Sequence, residues 1–171
     1  MDLNPALTQI ASNVRGVIFD VDGVITNGQL TYSDDGHEYK TFHVQDGASI
    51  KLLQQHNIVV GIITGRRSPT VARRARELDI RYLIQGADSK ADAVDTLIAQ
   101  GFPDADNAAV GDDIQDIGVF KHPSVCFAIS VPNGHPVACS QAHWITQRSG
   151  GNGVAVEIAE LLLRAQGTWP F

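Results

Sequence analysis

Cysteine is scarce. Cys126 and Cys139 are the only two in 171 residues, and their separation fits neither a CxxC motif nor a metal-ligand spacing. Cys126 lies in an apolar run and reads as a core residue. Positive charge is also short. Thirteen Lys and Arg stand against nineteen Asp and Glu, a net charge of −6. That balance argues against a nucleic-acid partner bound over a broad basic surface, while leaving room for a small local anion site. No apolar run approaches membrane-spanning length, so no membrane partner is expected. The first residues, MDLNPALTQIASN, lack the basic, apolar and cleavage regions of a signal peptide. With so few thiols, these absences imply a cytoplasmic protein. Repeats, low-complexity tracts and linkers are missing too, so residues 1–171 are expected to form one domain. An apolar share of 43% with 19% charged residues suits a globular chain with a sizeable core.

The informative stretch is GVIFDVDGVIT, residues 16–26. Val17, Ile18 and Phe19 form a short apolar run that reads as a buried strand. Asp20 and Asp22 follow, one residue apart, with Gly23 behind them. On an extended chain, i and i+2 point to the same side, so both carboxylates can reach one spot at the strand's end. Two like charges buried there are costly unless a cation lies between them or one holds a proton. Asp and Gly are also ordinary turn residues, so this stretch alone is compatible with a charged turn.

Taken in order, residues 1–13 read as a short helix or lead-in. Strand one covers about residues 15–20. Gln29–Ser33 and His37–His43 flank Asp34-Asp35-Gly36 and read as a β-hairpin. A helix is expected to open at Asp46-Gly47. Ile58–Ile63 is the second strand, followed by Thr64-Gly65-Arg66 and a helix with Ser68 as cap and Pro69 in its first turn. A third strand covers residues 81–84. Ser89 caps the next helix, with Lys90 in its first turn and Gly101 past its end. Ala108–Val110 is a fourth strand, ending in Gly111-Asp112-Asp113, and a helix follows through Phe120. Val125–Ile129 is a fifth strand, Trp144-Ile145 a brief sixth, and Val154–Arg164 a closing amphipathic helix.

Alternating buried strands and helices predict an α/β fold: a doubly wound, mostly parallel, Rossmann-like sheet with helices on both faces. In such sheets ligands bind beyond the carboxyl ends of the strands. Asp20 and Asp22, Thr64, and Asp112 and Asp113 all fall at those ends, and Lys90 starts a helix just past the third. Asp20, Asp112 and Asp113 offer hard oxygen ligands, which suit Mg²⁺ better than zinc. Lys90 would draw in an anionic substrate. The Thr64 hydroxyl and the N–H groups near Gly65 and Gly23 add donors, completing a kit for phosphoryl transfer. A carboxylate can attack phosphorus to give an aspartyl-phosphate, and Asp22 could protonate the leaving alcohol and later activate water.

DVDGVIT (residues 20–26), ITGR (63–66), Lys90 and GDDIQD (111–116) together resemble the haloacid dehalogenase-like phosphatases, in the right order over nearly the whole chain. The resemblance implies that Asp20 is the nucleophile and a Mg²⁺ ligand, and that Asp22 is the acid/base and lends its carbonyl to the metal. It implies that Thr64, Gly65 and Lys90 hold phosphate and that Asp112 is the third protein ligand. Asp113 and Asp116 would support the metal site from behind.

The gaps between these motifs are short, leaving no room for a cap domain. An open site excludes water poorly, so a neighbouring subunit is expected to finish it, with the hairpin (residues 28–43) as the contact. The chain resembles the capless 3-deoxy-D-manno-octulosonate 8-phosphate phosphatases of lipopolysaccharide precursor synthesis. NGQLTYSDDGHEYKTFHVQDG, ITGRRS, QGADSK and GGNGVAVE carry this likeness. It implies a homotetramer. Val156 stands where that family often has Arg, which alters the expected contacts to the sugar. Arg66 is a candidate for a substrate carboxylate and Gln45 for a further substrate contact, while Arg73, Arg74 and Arg76 read as a solvated face. Two alternatives stand beside this: a phosphatase for a nine-carbon keto-deoxy sugar phosphate, and a non-catalytic phosphoacceptor or regulatory module.

Overall fold

The computed structural model describes residues 4–171. The lead-in is a helix, α1 (Pro5–Ser12), opened by Asn4, whose side-chain oxygen accepts the Ala6 N–H at 3.0 Å. Pro5 fits this first turn because its missing N–H would have had no helical partner. The part of the expected lead-in over residues 1–3 lies outside the described residues.

Eight strands follow in chain order: β1 (Gly16–Phe19), β2 (Thr31–Tyr32), β3 (Glu38–Tyr39), β4 (Val59–Thr64), β5 (Tyr82–Gln85), β6 (Asn107–Val110), β7 (Val125–Ser130) and β8 (Trp144–Ile145). Six of them form one parallel sheet in the order β5-β4-β1-β6-β7-β8, with β1 near the centre. The remaining helices are α2 (Val44–Gln55), α3 (Pro69–Glu77), α4 (Lys90–Ala99), α5 (Ile117–Phe120), α6 (Pro136–Gln141) and α7 (Val154–Ala165).

The two-residue period of the strands splits the core into two layers. Val17 and Phe19 face one side, where α1, α2, α3 and α7 pack, and Ile18 faces the other with α4, α5 and α6. Phe19 and Phe127 are fully buried in the first layer; each such side chain contributes about 1.5–3 kcal/mol relative to exposure. In the second layer Phe102 lies over two glycines. A Cβ on Gly16 would meet its ring at 2.8 Å and one on Gly61 at 3.0 Å.

Two local expectations are corrected. α2 begins at Val44, before Asp46-Gly47, because extended His43 caps it by accepting the Gln45 N–H on Nδ1 at 3.3 Å. Asp46 is buried and instead accepts the Ala155 N–H at 2.7 Å, serving the open end of α7. Burial raises its carboxyl pKa, with the Ala155 and Gly153 N–H groups opposing. Ser68 stands at the start of α3, yet its hydroxyl caps nothing. Its N–H goes to Gln85 Oε1 at 2.8 Å, tying α3 to the tip of β5.

The hairpin is shorter than its sequence suggests. Only Thr31 with Tyr39 and Tyr32 with Glu38 pair as strand. Its turn closes through the Ser33 N–H to the His37 carbonyl at 2.9 Å. Leu30, Tyr32 and Tyr39 are exposed, at 48, 57 and 59%, while Phe42 packs against the core and anchors the ribbon's exit. Only a single turn at Val21–Ile25, this hairpin and α2 lie between β1 and β4, and only α3 and β5 between β4 and α4. The carboxyl edge of the sheet therefore stays open, as expected of a capless chain.

Candidate active site

β1 delivers Asp20 to the carboxyl edge, where the side chain is nearly buried and the N–H is held by the Val110 carbonyl of β6 at 2.9 Å. The chain then makes one wide turn over Val21–Ile25, closed by the Thr26 N–H to the Val21 carbonyl at 2.9 Å. Gly23 takes φ +95°, and a Cβ there would sit 2.0 Å from Asp112 Oδ2. Glycine at this point lets the turn bend and lets Asp112 come close. The turn is fastened from outside. Asn133 Nδ2 donates to the Gly23 carbonyl at 2.9 Å, and Asn133 Oδ1 accepts the Gly150 N–H at 2.6 Å. The Gly151 N–H reaches the Val24 carbonyl at 2.9 Å. A Cβ on Gly150 would lie 1.8 Å from the Gly23 carbonyl oxygen, so this close packing requires glycine.

β6 ends before Asp112, and the next turn is built around Asp116. Its Oδ2 accepts the N–H groups of both Asp112 and Asp113 at 3.0 Å. Its Oδ1 takes Lys90 Nζ at 2.7 Å, and Lys90 Nζ also stands 3.0 Å from Asp20 Oδ2. The Asp113 carboxylate caps the same turn through the Ile114 N–H at 2.7 Å. Lys90 reaches this spot because it begins α4, whose start Ser89 fixes by accepting the Asp92 N–H at 3.3 Å.

One cation cannot neutralise this many buried carboxylates. Burial first, then the charge of Asp116, raises the Asp20 pKa to about 8, although Lys90 pulls the other way. The same two causes raise Asp112 to about 6. Burial works against the Lys90 ammonium, but Asp20 and Asp116 outweigh it and hold its pKa above the usual lysine value. The cluster therefore favours uptake of a proton or a second cation.

Oxygens of Asp20, Asp112 and Asp116 lie within 4.8 Å of one another. Both Asp116 oxygens are already engaged by the chain, whereas Asp112 Oδ1 is buried with no partner. Hard carboxylate oxygens grouped this closely, one of them buried without a partner, fit Mg²⁺. Asp20 and Asp112 are the carboxylates free to hold it, and Asp116 sets their spacing.

A cleft of about 550 Å³ opens over this cluster. It brings together Asp20, Asp22, Thr64, Gly65, Lys90 and Asp112 from the sequence-derived set, with Asp113 and Arg66 also on its wall. Ala87, Asp88 and Gln115 line it as well, and sequence reasoning passed over them as individual residues. Thr64 is buried, and its Oγ1 accepts the Arg66 N–H at 3.3 Å. Gln45 is not on the wall. It is exposed, and its Oε1 accepts from Arg148 Nη1 at 3.3 Å. The Arg66 guanidinium turns onto the hairpin, pairing with Glu38 and donating to the Tyr32 hydroxyl at 3.2 Å. Sequence reasoning missed Lys40, whose ammonium pairs with Asp22 and stands 3.3 Å from Glu38. It also missed Asn133.

A parallel sheet that gathers a DxD turn, a Thr-Gly tip, a helix-start lysine and a paired-aspartate turn at one edge defines the haloacid dehalogenase-like phosphatases. The comparisons agree. The Salmonella typhimurium 3-deoxy-D-manno-octulosonate 8-phosphate phosphatase is 37% identical over 166 residues, covering 96% of this chain and 87% of the relative. A crystal structure of the Moraxella catarrhalis enzyme, in complex with magnesium ion, phosphate ion and KDO, superposes with a TM-score of 0.89 at 40% identity. That match covers 95% of this chain and 92% of the other. The cobalt-bound form from Haemophilus influenzae gives a TM-score of 0.86 at 34% identity, covering 93% and 92%. No protein-family model matches the chain. The chain belongs to the 3-deoxy-D-manno-octulosonate 8-phosphate phosphatase family.

Proposed function

We propose that this chain hydrolyses the phosphate ester of 3-deoxy-D-manno-octulosonate 8-phosphate through a phosphorylated Asp20. The observation that carries the reading is Asp20 itself: a nearly buried carboxylate at the mouth of an open cleft, 3.0 Å from Lys90 and grouped with an unpartnered Asp112 oxygen. Asp20, Asp112 and the main-chain carbonyl of Asp22 would hold Mg²⁺, which when bound supplies positive charge against the phosphoryl oxygens. Thr64 Oγ1, the Gly65 N–H and Lys90 bind the remaining phosphoryl oxygens and orient the phosphorus toward Asp20. Asp20 forms the new P–O bond as the ester P–O bond breaks, and the departing sugar oxygen takes a proton from Asp22. Asp22 then accepts a proton from the water that attacks the phosphoaspartate, releasing phosphate and restoring Asp20. Arg66, on the outer wall, is the cation available to the substrate carboxylate, with Glu38 setting its direction.

Phosphate release from the eight-carbon ester is expected to be complete, to stop with chelator and to return with Mg²⁺. Preference for a nine-carbon keto-deoxy sugar phosphate under the same assay would reassign the substrate. A phosphoaspartate surviving minutes or longer would instead mark a phosphoacceptor module.

The assembly follows from the hairpin. Leu30, Tyr32 and Tyr39 stay exposed on a ribbon that a monomer barely stabilises. A homotetramer joined through residues 28–43 covers them and walls the open cleft. Light scattering after size exclusion should report a mass near four times 18.4 kDa; a fully selective monomer contradicts the shared cleft. We place this work in the cytoplasm, within lipopolysaccharide precursor synthesis. Both cysteines are free, and among the described residues no helix is long and apolar enough to cross a membrane.

A further inference from the structure

Lys40 lies where the hairpin leaves β3, a position at which a lysine head is ordinarily solvated. Here its side chain is only 2% exposed. The ammonium meets Asp22 Oδ1 and stands 3.3 Å from Glu38 Oε1. Glu38 is held in turn by Arg66, which also binds the Tyr32 hydroxyl. Charges of alternating sign thus run from Asp22 out to the hairpin surface, and each holds the next in place. The other oxygen of Asp22, Oδ2, is buried and has no hydrogen-bond partner, on a residue that lines the cleft.

A free aspartate carboxyl rotates broadly about its terminal torsion. With Oδ1 clamped, that rotation is stopped and the carboxyl keeps one orientation beside the cleft. We propose that Lys40 is a positioning residue for the acid/base step: it fixes the Asp22 carboxyl for proton transfer to the ester oxygen leaving phosphorus. This rests on the reading of Asp22 as proton donor. As the ester P–O bond breaks, its electron pair stays on the departing oxygen, which takes the proton from the Asp22 carboxyl. Lys40 gives up no proton and touches no substrate. The base of the hairpin, on this account, steadies the acid/base group of its own subunit, while the exposed face of the ribbon is left for a neighbour.

The test compares two esters by kcat/KM, which covers only the steps through phosphoryl transfer to Asp20. An alkyl ester without a carboxylate, such as glycerol 3-phosphate, must protonate its leaving oxygen; p-nitrophenyl phosphate need not, and neither calls on the Arg66–Glu38 pair. For Lys40→Met the alkyl value should fall about 10–100-fold while the aryl value stays within about 3-fold. Lys40→Arg, which keeps a cation facing Asp22, should recover part of the alkyl loss. Equal losses with both esters, together with a lower Tm, would make Lys40 a tether of the hairpin and overturn the proposal. So would no loss with either. Asp22→Asn is run alongside. If it fails to discriminate between the esters, the acid/base reading itself falls. If it discriminates and Lys40→Met does not, the role of Lys40 alone falls. Should Lys40→Met not fold, Lys40→Arg and Glu38→Gln are judged by the same ratio, and both must lower the alkyl value selectively.

Discussion

Asp20→Asn should abolish turnover, by roughly 10⁴–10⁶-fold, and yet raise the Tm of the metal-free protein by about 2–6 °C. The two effects share one cause. Asp20 is buried beside Asp116, and these two influences raise its pKa from 3.8 to about 8. Without a metal the fold must either bury that charge or hold a proton on it. Asn has the same shape, needs no proton, and its oxygen can still accept from Lys90. What stabilises the resting fold therefore removes the proposed nucleophile, a conflict common where a site is built for a charge it meets only in use.

The sign of the pH dependence follows. Between pH 3.8 and about 8 the folded state holds a proton on Asp20 that the unfolded chain has released. Stability then falls as pH rises, because the native state binds more protons. Asp112, raised to about 6, adds a contribution of the same sign over a narrower window. Melting in chelator from pH 5 to 8.5 should show the wild type losing Tm more steeply than the Asp20→Asn variant, which keeps only the Asp112 contribution. Mg²⁺ should restore the wild type most at the upper end, where its carboxylate ligands are free of protons. A variant that melts below the wild type across the whole range would contradict this account of Asp20.

Asp20, Thr64 and Asp112 were legible because each follows a buried apolar run, and a parallel sheet leaves little choice about where such runs end. Lys90 was legible through the helix start that Ser89 marks. Lys40 was not. A lysine among polar hairpin residues carries no periodic signal, and its partner Asp22 is met only after the ribbon folds back across the turn. Asn133 was hidden for the same reason: it reads as a loop residue, and its two bonds reach segments far away in the chain. Gln45 lies elsewhere than its sequence position suggests. Its closeness to the hairpin suggested a substrate contact, but α2 starts earlier than expected and turns it toward Arg148. Asp116 joins Lys90 to the N–H groups of Asp112 and Asp113 through both of its oxygens, a set of bonds that local spacing alone could not reveal. What a sequence conveys here is the end of each strand; what it conceals is any contact made by one long polar side chain across the fold.

Lys90→Met is the second large effect. Lys90 is nearly buried and bridges Asp20 at 3.0 Å and Asp116 at 2.7 Å. Removing one partner from a buried ion group usually costs about 3–5 kcal/mol, since charge is left behind unpaired. The two carboxylates left behind are not equivalent. Asp20, already raised to about 8, can take a proton and escape part of that cost. Asp116 still accepts the N–H groups of Asp112 and Asp113, so protonating it would weaken the turn that carries Asp112. The penalty should therefore centre on Asp116, and adding Asp116→Asn should recover some of it, with a coupling of about 0.5–3 kcal/mol in a double-mutant cycle. Urea unfolding in chelator, on wild type, both single variants and the double variant, measures that coupling. Activity should stay lost in the double variant, because the cation proposed to face the phosphoryl group is still missing. If stability were additive across the cycle, Lys90 and Asp116 would be independent, and the carboxylate spacing around the metal position would need another cause than the lysine that joins them.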